Sequence, residues 1–113
     1  MEHDSTERRI IIEDGNVIDY SVLALDEFAH DRHTPRRERR RFKRTLEAVG
    51  RLSVAHMQAP EMLLDLNETD AQVCLLVLRR YLNEHRLPVS LQDPERSARI
   101  ARSAEHLDAL LAA

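Results

Sequence analysis

The sequence predicts a mostly α-helical fold, with a short N-terminal β-hairpin packed on a compact bundle of four to five helices. Three observations carry that expectation. Two glycines and four prolines stand against abundant Ala, Leu, Arg and Glu, a balance that favours long helices over the many turns of an all-β domain. Apolar residues at 42% and charged residues at 33% supply enough hydrophobic surface for a core and argue against wholesale disorder. Along most of the chain, apolar positions recur at helical spacing between cap and proline signals. The 113 residues suit one domain, with 1–7 expected to be disordered, 8–20 a hairpin and 21–112 helical.

Ile10, Ile11 and Ile12 precede Asp14-Gly15-Asn16, and Val17 and Ile18 follow it, which is the chemistry of a tight hairpin. An isolated hairpin is marginal in water, so its apolar side must lean on a helix or pair with a second copy. Ser21 is expected to cap a first helix reaching His33, with Tyr20 and Leu25 as a hydrophobic staple and Val22, Leu25, Phe28 and Ala29 on one side. Thr34-Pro35 reads as a cap followed by proline in the first helical position, opening a second helix that runs to Met57.

At about 100° per residue, Phe42, Leu46, Val49, Leu52, Ser53, His56 and Met57 share one arc of that helix. Arg36, Arg37, Arg39, Arg40, Arg41, Lys43, Arg44 and Arg51 fill most of the rest. Gly50, mid-helix, points to a bend or a close helix crossing, and Glu47 to simple pairing with Lys43 and Arg51. Glu61 to Leu66 is expected to form one or two helical turns. Thr69 and Gln72 make a capping-box pattern ahead of a helix over 70–86. Its run Val73 to Leu78 is apolar all round, which places it at the centre of the core or in an interface with another chain. Leu87-Pro88 stops this helix and Asp93-Pro94 starts the last, where Ile100, Ala104, Leu107 and Leu111 make a narrow packing seam.

Charge is sorted along the chain, although the net charge is only −3. Residues 1–31 carry nine acids against Arg8 and Arg9, whereas residues 32–51 carry nine Lys or Arg against Glu38 and Glu47. Cations in the first turns of a helix oppose its dipole, so helix stability alone would not select the Arg36 to Arg44 cluster. One reading is a contact surface for phosphates, in which Arg36, Arg37, Arg40, Arg41, Lys43, Arg44 and Arg51 bind nucleic acid or another polyanionic surface. The others are a merely solvated face, one neutralised by the acidic first third of this chain or of a second copy, and one that meets an acidic protein partner.

Arg96, Arg99 and Arg102 recur on the outer side of the last helix, but the joint Leu87 to Gln92 is long for a helix-turn-helix and lacks glycine. These arginines are expected to solubilise an Ala- and Leu-rich helix. Glu27, His30 and His33 read as Glu-x-x-His-x-x-His, a spacing that drifts around a helix and favours ordinary surface histidines over a metal site. His56 is expected at the core boundary. Cys74 cannot form an intrachain disulfide, and it reads as a small buried hydrophobe in a reducing cytoplasm.

Glycine-rich phosphate loops, Gly-x-Ser-x-Gly, His-Glu-x-x-His and Cys-x-x-Cys are all missing, so neither an enzyme nor a cofactor is expected. The polar, acidic start and the lack of a stretch of about 20 apolar residues argue against export and membrane insertion. The function expected is therefore that of a non-enzymatic regulatory or adaptor protein with a basic helix face. A protein–protein interaction or self-assembling module is the alternative, and a small metal-binding helical protein a distant third. Four aromatic residues and one all-apolar helix suggest a core completed across a homodimer interface.

Overall fold

A computed structural model describes residues 7–84 and 94–113. The described residues form β1 (Arg9–Ile12), α1 (Gly15–Ala29), α2 (Arg36–Gln58), β2 (Leu64–Asn67), α3 (Glu68–Glu84) and α4 (Pro94–Ala112). The fold is mostly α, four helices with a two-stranded antiparallel sheet, but the sheet is not a hairpin. β1 pairs with β2 from mid-chain, Ile10 opposite Leu66 and Ile12 opposite Leu64. Glu68 N–H donates to the Arg8 carbonyl at 2.9 Å and extends the ladder. Ile10, Ile12, Leu64 and Leu66 turn inward and are buried, while Ile11 and Leu63 remain exposed.

The expected hairpin fails because Asp14-Gly15-Asn16 serves as a helix start. The Asp14 carboxylate accepts the Asn16 N–H at 2.9 Å, which caps α1 at Gly15, so Ser21 lies inside the helix and is buried. The inner face of α1 is Val17, Ile18, Ser21, Ala24, Leu25, Phe28 and Ala29, at intervals of three and four. The helix ends at Ala29 and His30 rather than His33. Leu64 to Asn67, expected as helical turns, alternates apolar and polar residues, and only the strand period buries Leu64 and Leu66 together.

Thr34 does not cap α2. Its hydroxyl turns back to the Asp31 carboxylate, and Pro35, with ψ of 144°, is the last non-helical residue. The start of α3 is capped by Asn67, whose side chain accepts the Asp70 N–H at 2.8 Å, in place of the expected Thr69. Glu7, expected in a disordered leader, accepts the Thr69 N–H at 2.8 Å and also the Thr69 hydroxyl. The rest of that leader, the Leu87-Pro88 stop, the Leu87 to Gln92 joint and the Asp93 cap lie outside the described residues.

Phe28 stands at the centre of the core. Its ring meets Phe42 of α2 and Tyr81 of α3 edge-on, with centroids 6.4 Å away in both cases. α3 is the central helix, since of the run Val73 to Leu78 only Leu76 is exposed. Ile100, Ser103, Ala104 and Leu107 close the core from α4. Arg8 holds the far end of that helix, donating to the carbonyls of Leu111 and Ala113 and pairing with Glu68 at 2.8 Å. Among the described residues no helix is long and apolar enough to cross a membrane.

Candidate functional site

α2 separates two chemistries. Phe42, Thr45 and Val49 are buried within an arc of about 60° on the helix wheel, with Leu46 half-buried beside them. Arg36, Arg40, Lys43, Arg44 and Arg51 occupy the opposite pole, within about 100°, while Arg37 and Arg41 lie on its flank. All seven are exposed. The Thr45 hydroxyl, on the inner side, donates to the Asp70 carboxylate at 2.9 Å and ties α2 to the start of α3. Ser53 donates to Asp19 of α1 at 3.2 Å.

Five other arginines are in ion pairs, whereas Arg32, Arg39, Arg96 and Arg102 form none among the described residues. Arg8 pairs with Glu68, Arg9 with Asp65, Arg79 with Asp108, Arg80 with Glu38 and Glu84, and Arg99 with Glu95. None of Arg36, Arg37, Arg40, Arg41, Lys43, Arg44 or Arg51 forms an ion pair among the described residues. Glu47 also stays apart from Lys43 and Arg51, contrary to the pairing expected. The other acid of α2, Glu38, is drawn away by Arg80 at 3.0 Å. Arg80 stacks over Phe28 at 5.1 Å, and its bond to Glu38 raises the guanidinium above its ordinary pKa. Among the described residues no side chain caps α2, whereas Asp14 caps α1 and Asn67 and Glu7 serve α3.

Two grooves run beside the cationic face. One of about 300 Å³ lies between Arg41 and Arg44 on α2 and Thr69 and Asp70 on α3. The other, of about 450 Å³, lies between Arg51, Leu52 and Ala55 on α2 and Asp65, Leu66 and Asp70 opposite. Both have carboxylates on the far wall, so the uniformly positive surface is the outer pole of the helix.

At the inner arc two expectations change. Met57 is exposed at the end of α2, and among the described residues nothing lies within 4 Å of where a Gly50 side chain would begin and no helix crosses there. The close approach is instead at Gly15, where a Cβ would stand 2.7 Å from His56 Nε2. His56 is half-buried at the core boundary, as its position in the pattern suggests.

Glu27, His30 and His33 do not share a helix, because α1 ends before His30. His30 Nδ1 engages the Asp26 carbonyl at 2.9 Å, and no group of three metal-ligating side chains assembles among the described residues. Cys74 is buried, which pushes its thiol up to about 12, with the Ser21 hydroxyl a smaller opposing influence. On α4, Arg99 pairs with Glu95 one turn earlier and Arg102 is exposed.

Glu7, Arg8 and the Glu38–Arg80 pair escaped the sequence reading because each acts across 42 residues or more. No protein-family model, curated protein or solved structure matches the chain.

Proposed function

We propose that this protein is a non-enzymatic regulatory or adaptor protein that presents the outer pole of α2 to nucleic acid or another polyanionic surface. One observation carries the reading: seven cations lie exposed together along one helix without a carboxylate partner among the described residues. Phe42 and Val49 hold the helix from beneath. Arg40 and Arg44 on the pole, with Arg37 and Arg41 on its flank, are the contacts assigned to the partner, since guanidinium groups bind phosphate oxygens bidentately. Contact of this kind releases counterions, so retention on heparin or nucleic acid should fall steeply with salt. A variant with those four arginines replaced by glutamine should lose most of that dependence. Failure to be retained at low salt, or retention indifferent to salt, would remove the reading. Whatever co-purifies at low salt and disappears on nuclease treatment identifies the partner class directly.

A second reading draws on α1, whose exposed side carries Asp19, Asp26 and Glu27. In a self-assembling module, that acidic stripe meets α2 of another copy, and exposed Met57 and Leu63 add apolar contact. Oligomers would then form with rising concentration and loosen in salt without any nucleic acid, which sedimentation at two salt concentrations distinguishes.

A further inference from the structure

Resting on the polyanion reading, we infer that the partner is double-stranded DNA, held along α2 through its phosphate backbone without readout of base sequence. The stripe from Arg36 to Arg51 climbs about 22 Å on an unbroken helix. Duplex DNA carries one charge per about 1.7 Å of axis, so a length matching the stripe holds about 13 phosphates on its two strands, and the side turned to the helix presents a rigid row of charge along the whole stripe.

The aromatic residues separate duplex from single strand. Proteins that hold single strands stack the bases on exposed rings, and each such ring contributes substantially to affinity. This chain has four aromatic residues in all. Phe28, Phe42 and Tyr81 are buried in the core, and Tyr20 is half-buried on α1. The cationic face offers unpaired bases no Phe, Tyr or Trp ring, which leaves only guanidinium planes to stack on. Bases that remain stacked within a duplex need no such platform.

The donors and acceptors separate backbone contact from base reading, and DNA from RNA. From Arg36 to Arg51 the exposed side chains are Arg36, Arg37, Arg40, Arg41, Lys43, Arg44, Glu47 and Arg51. Apart from Glu47 these groups only donate, and they suit phosphate oxygens. Amide side chains, which read adenine by donating and accepting at once, are absent from that stretch. Double-stranded RNA is recognised by shape and by contacts to phosphates and to 2′-hydroxyls, which both donate and accept; apart from Glu47 this face only donates, so it can use half of what the 2′-hydroxyls offer. Arginine can also engage guanine, so a guanine preference would betray base reading.

The test uses the full chain and fluorescence anisotropy with a DNA duplex of two helical turns, its separated strands and an RNA duplex of the same sequence, with heparin resin run in parallel. Affinity for the DNA duplex should exceed that for either strand and for the RNA duplex by about tenfold or more, and unrelated duplex sequences should agree within about threefold. Between 50 and 200 mM salt, duplex affinity should fall by about 10³- to 10⁴-fold if all seven cations contact phosphates. Replacing Arg37, Arg40, Arg41 and Arg44 with glutamine should shrink the slope of log affinity against log salt by about 4, with circular dichroism verifying that the variant is folded.

Equal or tighter binding of single strands, preference for the RNA duplex, or a spread above about tenfold among sequences would each overturn the inference. Heparin retention without binding to any nucleic acid would sink it while leaving the polyanion reading intact. No retention on heparin and no nucleic-acid binding at low salt would end both.

Discussion

Replacing Gly15 and Gly50 by alanine, one at a time, sets the same chemical change in two different surroundings. Both glycines lie in helices, and neither has the left-handed φ that would exclude a side chain. At Gly50 a Cβ meets nothing within 4 Å, so Gly50→Ala should stabilise the protein by about 0.5–1 kcal/mol through helix propensity alone. At Gly15 the Cβ would stand 2.7 Å from His56 Nε2 and 3.2 Å from Cδ2, closer than atoms can approach without movement. The imidazole is half-buried and its Nδ1 is shielded from solvent without a hydrogen-bond partner among the described residues, so displacing it disturbs packed surroundings. Overpacking of this kind costs about 1–3 kcal/mol, so Gly15→Ala should destabilise by about 1–2 kcal/mol after the propensity gain is subtracted. In a His56→Ala background the obstacle is gone, and the same substitution should become neutral or mildly stabilising, a coupling of about 1–3 kcal/mol. Urea denaturation of the two singles and the double completes the cycle. An equal loss in both backgrounds would refute the reasoning, because it is the signature of a glycine required by a turn rather than by a neighbour.

Phe42→Ala removes a fully buried ring in edge contact with Phe28 and should cost about 3–5 kcal/mol in urea, so a loss below about 1.5 kcal/mol would contradict the enclosed position of Phe42. Burial pushes the Cys74 thiol up to about 12, so it should resist a thiol reagent in the native state and react only on unfolding. Because the unfolded thiol loses its proton first, stability should decline from about pH 9 upward, and Cys74→Ala should lessen that decline; fast native-state labelling at neutral pH would contradict this. Glu7 is held below its usual carboxylate range by the Thr69 hydroxyl and then by the Thr69 N–H. Its contribution is therefore present above the unfolded pKa and lost as pH falls through the folded one, and the urea midpoint of Glu7→Gln should fall less than the wild type's from about pH 5 downward. Arg36/Arg40, Arg37/Arg41 and Arg40/Arg44 are like charges one turn apart, so salt without nucleic acid should raise the wild type's melting temperature more than that of the four-glutamine variant; equal responses would show that repulsion is negligible.

The division of α2 was legible because it is local: apolar side chains at Phe42, Leu46 and Val49 share one side of any helix these residues form, whatever surrounds it. The start of α1 was not legible because Asp-Gly-Asn serves two grammars, hairpin turn and helix cap. The spacing of Val17, Ser21, Ala24 and Phe28 separates them once the isoleucines are granted a distant partner. That partner, β2, begins 52 residues after β1 ends, and a four-residue alternating strand carries too little signal to announce a pairing across such a distance. The cationic cluster could be read from the sequence, but its unpaired state could not. It depends on tertiary placement, in which Arg80 of α3 draws Glu38 away.

At several helix ends the chain places charges where helix electrostatics favours them. Arg8 sits at the last carbonyls of α4, Glu95 precedes Arg99 by one turn, and Glu68 and Asp70 open α3. α2 departs from this, with Arg36 and Arg37 beside Glu38 in a first turn that no side chain among the described residues caps. Each cation so placed costs about 0.3–1 kcal/mol, and each like-charged pair one turn apart about 0.2–0.5 kcal/mol. The burial of Phe42 and Val49, at about 1.5–3 kcal/mol each, is large enough to offset that arrangement, so the packed side of α2 can sustain a charged side that weakens the helix in isolation. In the proposed role the sign of the charge effect changes on contact: phosphates relieve the repulsion between neighbouring arginines and supply negative charge to the uncapped helix start, so bound nucleic acid stabilises the fold by linkage.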